Sequence, residues 1–231
     1  MKKLLKIIGL LLLLLILITV LALGYLGFIP GLSSLLGSDR PRDLGVHHTE
    51  KDLQSAQVKL KQTFTDPTGD PFQQYKSAPG HKVDTTLTQE EYAAHIERIH
   101  PVSDVQVKLS GNSFEISGRV DKARIPQFVR TWGLTGTSDK EVLDTINKYY
   151  PGDPIFYIAG TGGAKNNTLD MNLTKAELGR LPVSTDQAKE ALKIYTETLF
   201  KQVPGFSVED STIENGQLKF KGSAVSAVPK Y

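Results

Sequence analysis

The chain has 231 residues and no cysteine, which excludes a disulfide scaffold, a cysteine-ligated metal site and thiol catalysis. Its formal net charge of +2 comes from 27 basic and 25 acidic residues. Lys2, Lys3 and Lys6 all precede the first acidic residue, Asp39, and without these three the 27 basic residues fall to 24. The chain beyond them carries a charge of about −1, and this balance predicts no nucleic-acid partner.

A long apolar run follows the N-terminal lysines and predicts a transmembrane anchor over residues 7–29. At about 1.5 Å per residue, a helix of this length spans a hydrocarbon core of roughly 30 Å. By the positive-inside rule, the lysines keep residues 1–6 cytoplasmic, so we expect a single-pass protein of the cell membrane with its C-terminal domain outside. A cleavable signal peptide is the alternative, since Ala22-Leu23-Gly24 offers small residues at the right spacing, although the apolar region is longer than usual.

Two short segments separate the anchor from the main domain. Residues 30–48 are predicted to be a juxtamembrane tether, in which the pair His47-His48 is solvated. Residues 49–80 are predicted to be a helix followed by a loop. The helix begins at a threonine with an aspartate three residues later, and prolines and glycines recur across residues 66–80.

A plan of strand, helix and hairpin occurs twice in residues 81–231, which we predict to form an extracytoplasmic α+β domain. Residues 109–118 align with residues 213–222, and each window places a Gly/Asn turn between alternating apolar and polar residues, as tight β-hairpins do. An amphipathic helix precedes each hairpin. Only Gly118 and Gly222 are identical between the windows, so an internal duplication and a chance similarity of two hairpins both stay open.

The region between the two units predicts a further helix and two strands. Ser138 and Glu141 have capping-box spacing for a helix that ends near residue 149. Residues 155–161 predict a strand and residues 162–167 a turn, after which apolar residues alternate in the next strand. The predicted fold class is therefore α+β, with antiparallel hairpins packed against three or four helices.

The sequence contains none of the common catalytic or ligand-binding motifs. Residues 160–165 are rich in glycine and end in lysine, but they lack phosphate-loop spacing and precede a strand, so a hairpin connection is favoured. Glu91 and His95 lie one helical turn apart, yet two candidate ligands do not make a metal site, and a surface or interfacial role for the histidine is favoured. G-x-S-x-G and S-x-x-K are missing as well. We predict no catalytic residue, no metal and no cofactor.

Aromatic and apolar side chains are the most distinctive content of the middle region. Packing in the core explains them, and the sharper alternative is a groove beside the membrane for an acyl chain or a polyprenyl lipid. The candidate apolar ligand contacts are Phe128, Trp132, Leu143, Ile146, Tyr150 and Phe156.

Three short motifs resemble those of the YpmS-like family of anchored bacterial proteins. They are a threonine–acid helix start at residues 87–91, the hairpin sequence at residues 114–118, and a GRLP segment within residues 176–182. The resemblance implies a fold similar to the tubular lipid-binding class and an extracytoplasmic, lipid-contacting domain that is not an enzyme. Residues 66–80 and the hairpin at residues 165–167 depart from the family pattern. Residues 27–45 separately look like those of anchored proteins of small-genome bacterial lineages, which implies no activity.

The anchor, the missing motifs and the resemblance together predict a membrane-anchored extracytoplasmic binding protein that contacts lipid or an envelope component. Its expected partners are the membrane and a lipid or an envelope protein. One alternative is an accessory or assembly module of the cell envelope that works through protein–protein contacts. Another is a cell-wall hydrolase that uses a pair of carboxylates, because such a pair forms in space and need not show in the sequence.

Overall fold

The computed structural model describes residues 2–27, 29–66, 71–131, 138, 140, 141, 143, 144, 147 and 153–230. The helices are α1 (Lys2–Tyr25), α2 (Pro30–Leu35), α3 (Glu50–Leu60), α4 (Pro71–Ser77), α5 (Gln89–Ile99), α6 (Ile125–Thr131) and α7 (Thr185–Gln202). Capping residues start the long helices of the domain, because their side chains satisfy backbone N–H groups in the first turn. At α5 the Glu91 N–H donates to Thr88 Oγ1 (3.2 Å), and the Thr88 N–H donates to Glu91 Oε2 (2.8 Å).

The strands form one large antiparallel sheet and one small parallel pair. They are β1 (Thr63–Thr65), β2 (Gly80–Leu87), β3 (Val102–Ser110), β4 (Ser113–Val120), β5 (Ile155–Lys165), β6 (Thr168–Leu178), β7 (Leu181–Pro182), β8 (Ser207–Glu214), β9 (Gln217–Val225) and β10 (Ala227–Pro229). The large sheet has the order β2-β9-β8-β5-β4-β3, with β6 on β5 and β7 on β6, while β1 pairs with β10. The described chain is therefore α+β, as predicted from the sequence.

Both predicted hairpins are present, and each follows its predicted helix. Gly111 and Asn112 connect β3 to β4, and Asn215 and Gly216 connect β8 to β9. The Gly216 N–H approaches the Gly111 carbonyl oxygen at 3.5 Å, so the sheet curls until the two hairpin tips meet. The order strand, helix and hairpin occurs twice among the described residues, and the origin of this order by duplication stays a prediction.

The glycine-rich stretch that was predicted to turn at residues 162–167 is mostly strand. Strand β5 continues to Lys165, and only Asn166 and Asn167 form the turn, both with positive φ. The glycines are required because neighbouring backbones come close: a Cβ at Gly160 would overlap the Asn172 carbonyl oxygen. The stretch leads into an antiparallel partner strand rather than a helix, so it is a hairpin connection and lacks the geometry of a phosphate loop.

The segment predicted to be a loop over residues 66–80 contains a helix. Helix α4 begins at Pro71, where a proline is tolerated because the first N–H groups of a helix have no internal partner. Tyr75 and Ala78 are buried and pack with Val203 and Val225. The prediction of a loop is therefore wrong for residues 71–77. The prolines and glycines around this short helix dominate the composition of the segment and hide its few packing residues.

Two apolar clusters hold the domain together. The larger lies between the sheet and helices α3 and α5, and its least exposed members are Ala56, Ala93 and Val107. The smaller contains Val203, Val225 and Val228 with Tyr75 and Ala78, and residues of α5 and α7 pack against it. Because α3 and α4 supply core residues to these clusters, these two helices belong to the same packed unit as the sheet.

Helix α1 leaves the side chains of residues 11–18 uncovered. Residues 11–18 are each between 49% and 64% exposed, and consecutive positions on a helix point in all directions around its axis. Over the residues whose placement is described, no helix is both long and apolar enough to cross a membrane. The transmembrane anchor stays a prediction.

The segment predicted to be a tether packs on the domain. Arg42 donates to Glu177 from Nε (3.0 Å) and from Nη2 (2.7 Å), and the Leu44 N–H donates to Gln106 Oε1 (2.8 Å). Val46 is only 4% exposed. These contacts join residues 42–46 to strands β6 and β3, which lie far away in the sequence.

The two histidines of this segment behave differently. The His47 side chain is 74% exposed, in agreement with the prediction that it is solvated. The prediction is wrong for His48, whose side chain is only 20% exposed and whose Nε2 lies 3.3 Å from Glu97 Oε2. The difference arises because the segment docks against α5 instead of remaining in solvent.

Candidate functional site

Among the candidate apolar contacts that the structure describes, Phe128 and Phe156 pack against neighbouring elements. Phe128 lies against the smaller of the two apolar clusters, with its ring centroid 6.0 Å from that of Tyr195. Phe156 is half-buried on β5 and lies across from Gly118, where a Cβ would meet its ring at 2.9 Å. Leu143 is half-buried, and Trp132, Ile146 and Tyr150 lie outside the described residues. A ligand-binding role for this set stays a prediction.

A charged pocket lies elsewhere, between the start of α3 and the outer face of α5. This α3–α5 pocket is an open cavity of about 400 Å³. Its lining residues are His48, Thr49, Glu50, Leu53, Ala94, Glu97, Arg98 and Arg124. Leu53 and Ala94 are buried and form its floor where α3 packs on α5, so the two helices fix the positions of the charged groups above them.

Two of the charged groups in the pocket are committed to holding the fold. Glu97 Oε2 accepts from the Val105 N–H at 2.9 Å. Arg124 donates to the carbonyl oxygens of Glu97 (2.8 Å) and Val102 (2.8 Å), and so it satisfies carbonyl groups at the end of α5 and the start of β3. These bonds join α5, β3 and the turn that holds Arg124 into a rigid wall.

The pair Arg98 and Glu50 is held loosely by comparison. Arg98 Nη2 lies 3.8 Å from Glu50 Oε2, which is beyond hydrogen-bond distance, and the side chains are 32% and 66% exposed. The Arg98 guanidinium also lies 5.8 Å over the Phe64 ring. Arg98 is therefore a planar cation in a preformed cavity, with donor capacity for a carboxylate or a phosphate.

Sequence reasoning missed this pocket. His48, Arg98 and Arg124 come from three separate segments, and no local spacing signals that they meet. The one available signal is the helix start at Thr49, which places His48 just before α3 and Glu50 in its first turn but does not indicate which part of α5 they approach.

Glu91 and His95 do not converge on a metal site. The Glu91 carboxylate accepts from Lys59 Nζ (2.7 Å) and Ser55 Oγ (2.5 Å), besides its capping bond. Burial favours a raised pKa for Glu91, but these hydrogen bonds and the charge of Lys59 outweigh it, so the pKa lies below its ordinary value. Across the described part of the chain, no group of three His, Asp or Glu side chains is placed to hold a metal ion.

His95 in α5 and His100, which caps the C-terminal end of that helix, are both surrounded by protein. His95 Nδ1 is buried without a hydrogen-bond partner in the described structure, and its ring lies 6.1 Å from that of Phe64. His100 Nε2 lies 3.0 Å from the Tyr195 hydroxyl oxygen. Burial lowers the pKa of each histidine to about 4, helped at His95 by the positive charge of protonated His100.

We expect the protein to lose stability between pH 7 and pH 5. The unfolded histidines have a pKa of about 6.5, so the unfolded state takes up protons in this range that folded His95 and His100 do not. The free energy of unfolding should fall by about 2 kcal/mol, a figure that allows for the partial exposure of both residues. Urea denaturation of the full chain in detergent at pH 7 and pH 5 measures this loss, and H95L should remove about half of it. An equal loss in H95L would contradict the assignment.

Comparison of the chain with models of protein families, with curated proteins and with solved structures gave no match in any of the three. The function is therefore argued from the geometry of the chain itself.

Proposed function

We propose that this protein is a membrane-anchored extracytoplasmic binding protein whose α3–α5 pocket takes an anionic group of a lipid or of another envelope component. The observation that carries the proposal is the loosely paired Arg98 in a preformed, charged cavity. A cation without a tight partner retains electrostatic and hydrogen-bonding capacity for a ligand, which a saturated ion pair does not.

Helix α1 supports the anchor. Its apolar side chains from residue 11 onward are uncovered by the rest of the described chain, and water solvates such a surface poorly. The lysines that precede the apolar run favour a cytoplasmic N-terminus. In this arrangement the domain lies outside the cytoplasm and samples the envelope next to its own membrane.

Electrostatics supports an anionic rather than an apolar ligand for the pocket. The charged side chains that line it have mixed sign, and Glu97 and Arg124 are already occupied by backbone groups. An anion that reaches Arg98 displaces only the weak contact with Glu50, which is itself largely exposed and returns to solvent at little cost. Carboxylate and phosphate groups both suit the planar guanidinium.

Replacing Arg98 with glutamine should weaken ligand retention by about tenfold to a hundredfold, because a charge-assisted hydrogen bond contributes roughly 1.5–3 kcal/mol. The full chain is purified from bacterial membranes in mild detergent and examined by native mass spectrometry with lipid extraction. The wild-type protein should carry an acidic species that R98Q loses.

The matched control is K201Q, which removes a positive charge from an exposed lysine of α7 outside the pocket. It should retain the species as the wild-type protein does, and circular dichroism checks that both variants are folded. Recovery of the wild-type protein without any bound species, or equal retention by R98Q, would overturn the proposed site.

An accessory role through protein–protein contacts is a second candidate. No residue of helix α7 is fully buried, and the side chain of Ile194 on this helix is 59% exposed. Crosslinking from position 194 in intact cells tests this role, and the absence of a reproducible partner would count against it.

The hydrolase alternative has less support from the pocket. Glu50 and Glu97 both line it, but a general acid needs an environment that favours its neutral form. Glu97 accepts a backbone N–H and faces His48, and Glu50 is 66% exposed beside Arg98.

A further inference from the structure

The end of α1 is fastened to the segment that follows it. Ser33 Oγ and Ser38 Oγ both donate to the Gly24 carbonyl oxygen, at 2.7 and 2.9 Å, and both serines are almost fully buried. The Leu32 side chain packs against Gly24, where any Cβ would overlap it. Helix α2 is therefore folded back against the last turns of α1 and cannot swing away without breaking these contacts.

The turn between β6 and β7 meets the same end of α1. Gly179 has a φ of +65°, and a Cβ there would lie 3.4 Å from the Leu26 carbonyl oxygen. Arg180 Nη2 donates to the carbonyl oxygens of Arg40 (2.8 Å) and Gly37 (3.3 Å). A turn that belongs to the sheet is thus joined to the chain just beyond the apolar helix.

Large apolar side chains are exposed where these three elements meet. Leu35 is 82% exposed, Leu36 42%, Leu181 39% and Val183 37%, and Tyr25 at the end of α1 is 54% exposed. A single exposed apolar residue is common on protein surfaces and needs no explanation. Here the exposed residues are grouped, because they lie on elements that contact the C-terminal end of α1. Arg40 and Arg180 lie beside them.

We propose that α2 and the β6–β7 turn form a membrane-resting face that seats the domain on the outer surface of the bilayer, with Leu35, Leu181 and Val183 at the level of the lipid headgroups. The proposal rests on α1 being the anchor. Where the apolar run of α1 ends, the bilayer interface begins, and the contacts of Gly24 and Leu26 place both elements at that level. Interfacial segments combine apolar side chains, tyrosine and basic residues, which is the composition found here.

A bilayer explains this face better than a protein partner does. The face is continuous with α1, whose uncovered side chains require the same apolar medium. Arginines beside it suit the phosphates of lipid headgroups. Two attachments, a helix through the bilayer and a face on its surface, would fix the orientation of the domain and keep the α3–α5 pocket at a constant height.

The absence of cysteine makes a direct test possible, because single cysteines can be introduced without a background label. The full chain carrying I16C, L35C, L181C or V58C is labelled with the environment-sensitive fluorophore NBD and reconstituted into vesicles of phosphatidylethanolamine and phosphatidylglycerol. Val58 is the matched control, since it is an apolar residue of α3 that is 77% exposed. Quenching by iodide reports water, and quenching by doxyl-labelled lipid reports the bilayer.

The proposal expects probes at positions 16, 35 and 181 to be quenched by the doxyl lipid and protected from iodide, while position 58 shows the reverse. If position 16 is in the bilayer but position 181 is as open to iodide as position 58, the membrane-resting face is wrong and the anchor stands. If position 181 is shielded from both quenchers, the domain itself or a second copy of the chain covers it, and the proposal is also wrong. If position 16 itself is in water, the anchor fails and the membrane-resting face fails with it.

Discussion

Replacing Gly163 with alanine should lower the free energy of unfolding by about 3 kcal/mol or more. Gly163 lies in β5 next to Ala164, which pairs with Ser211 of β8, and a Cβ at Gly163 would overlap the Ser211 carbonyl oxygen. The obstacle is backbone in a paired strand, so relief requires β5 and β8 to separate. Since domains are commonly stable by only about 5–15 kcal/mol, this loss is a large share of the total. Urea denaturation of the full chain in detergent measures it.

Gly31 provides the matched control. A Cβ there meets nothing within 4 Å, and Gly31 lies in α2, where alanine is the better helix former. G31A should therefore be as stable as the wild-type protein. Equal stability of G163A and G31A would show that β5 and β8 are not as close as the structure has them.

Replacing Arg42 with alanine should lower the free energy of unfolding by about 2 kcal/mol. It should also release residues 42–46, which are docked on strands β6 and β3. The side chain of Glu177 is 8% exposed, and without Arg42 its charge keeps only Lys175, whose Nζ lies 3.0 Å away. Burial favours a raised pKa for Glu177, but the hydrogen bonds and charges of Arg42 and Lys175 outweigh it and lower the pKa. Removing one partner of a buried pair is costly because the other charge stays buried.

The release of this segment can be measured separately from stability. Val46 is buried in the docked state, so R42A should be cut by thermolysin near residues 44–46 faster than the wild-type protein. The control is K82A, which breaks an ion pair whose lysine is 79% exposed and should change stability by less than about 0.5 kcal/mol. If R42A and K82A resist thermolysin equally, Arg42 does not hold the segment.

The stability that the pair provides also depends on pH. Because the folded-state pKa of Glu177 is lowered, its contribution is present above the ordinary glutamate pKa and is lost as the pH falls below it. The difference in the free energy of unfolding between R42A and the wild-type protein should therefore become smaller as the pH falls below the ordinary glutamate pKa.

Local sequence patterns predicted the parts of the fold that depend on neighbouring residues. Capping boxes identified the starts of α3 and α5, and Gly/Asn pairs identified both hairpin turns. The patterns failed where the local structure depends on contacts with backbone that is distant in sequence. The glycines of β5 predict a turn, but they are needed because carbonyl groups of β6 and β8 approach them closely. That approach joins residues far apart in sequence and leaves no local pattern.

The candidate site was beyond the reach of sequence for the same reason. His48 meets Glu97, and Arg98 approaches Glu50, only after α3 has packed on α5. Such pairings leave no periodicity. The aromatic set was found from composition, and composition does not separate a ring that packs, as Phe128 does, from one that contacts a ligand.

The pairing of β2 with β9, and of β1 with β10, sets the order of events during synthesis. Strand β2 has no sheet partner in the described chain until residues 217–225 are available, and β1 waits for residues 227–229. Loop closure over so many residues is entropically costly and slow. A chain made from its N-terminus therefore emerges with its first strands still unpaired. If the domain is exported as proposed, it is delivered unfolded and assembles only after its last strand has crossed.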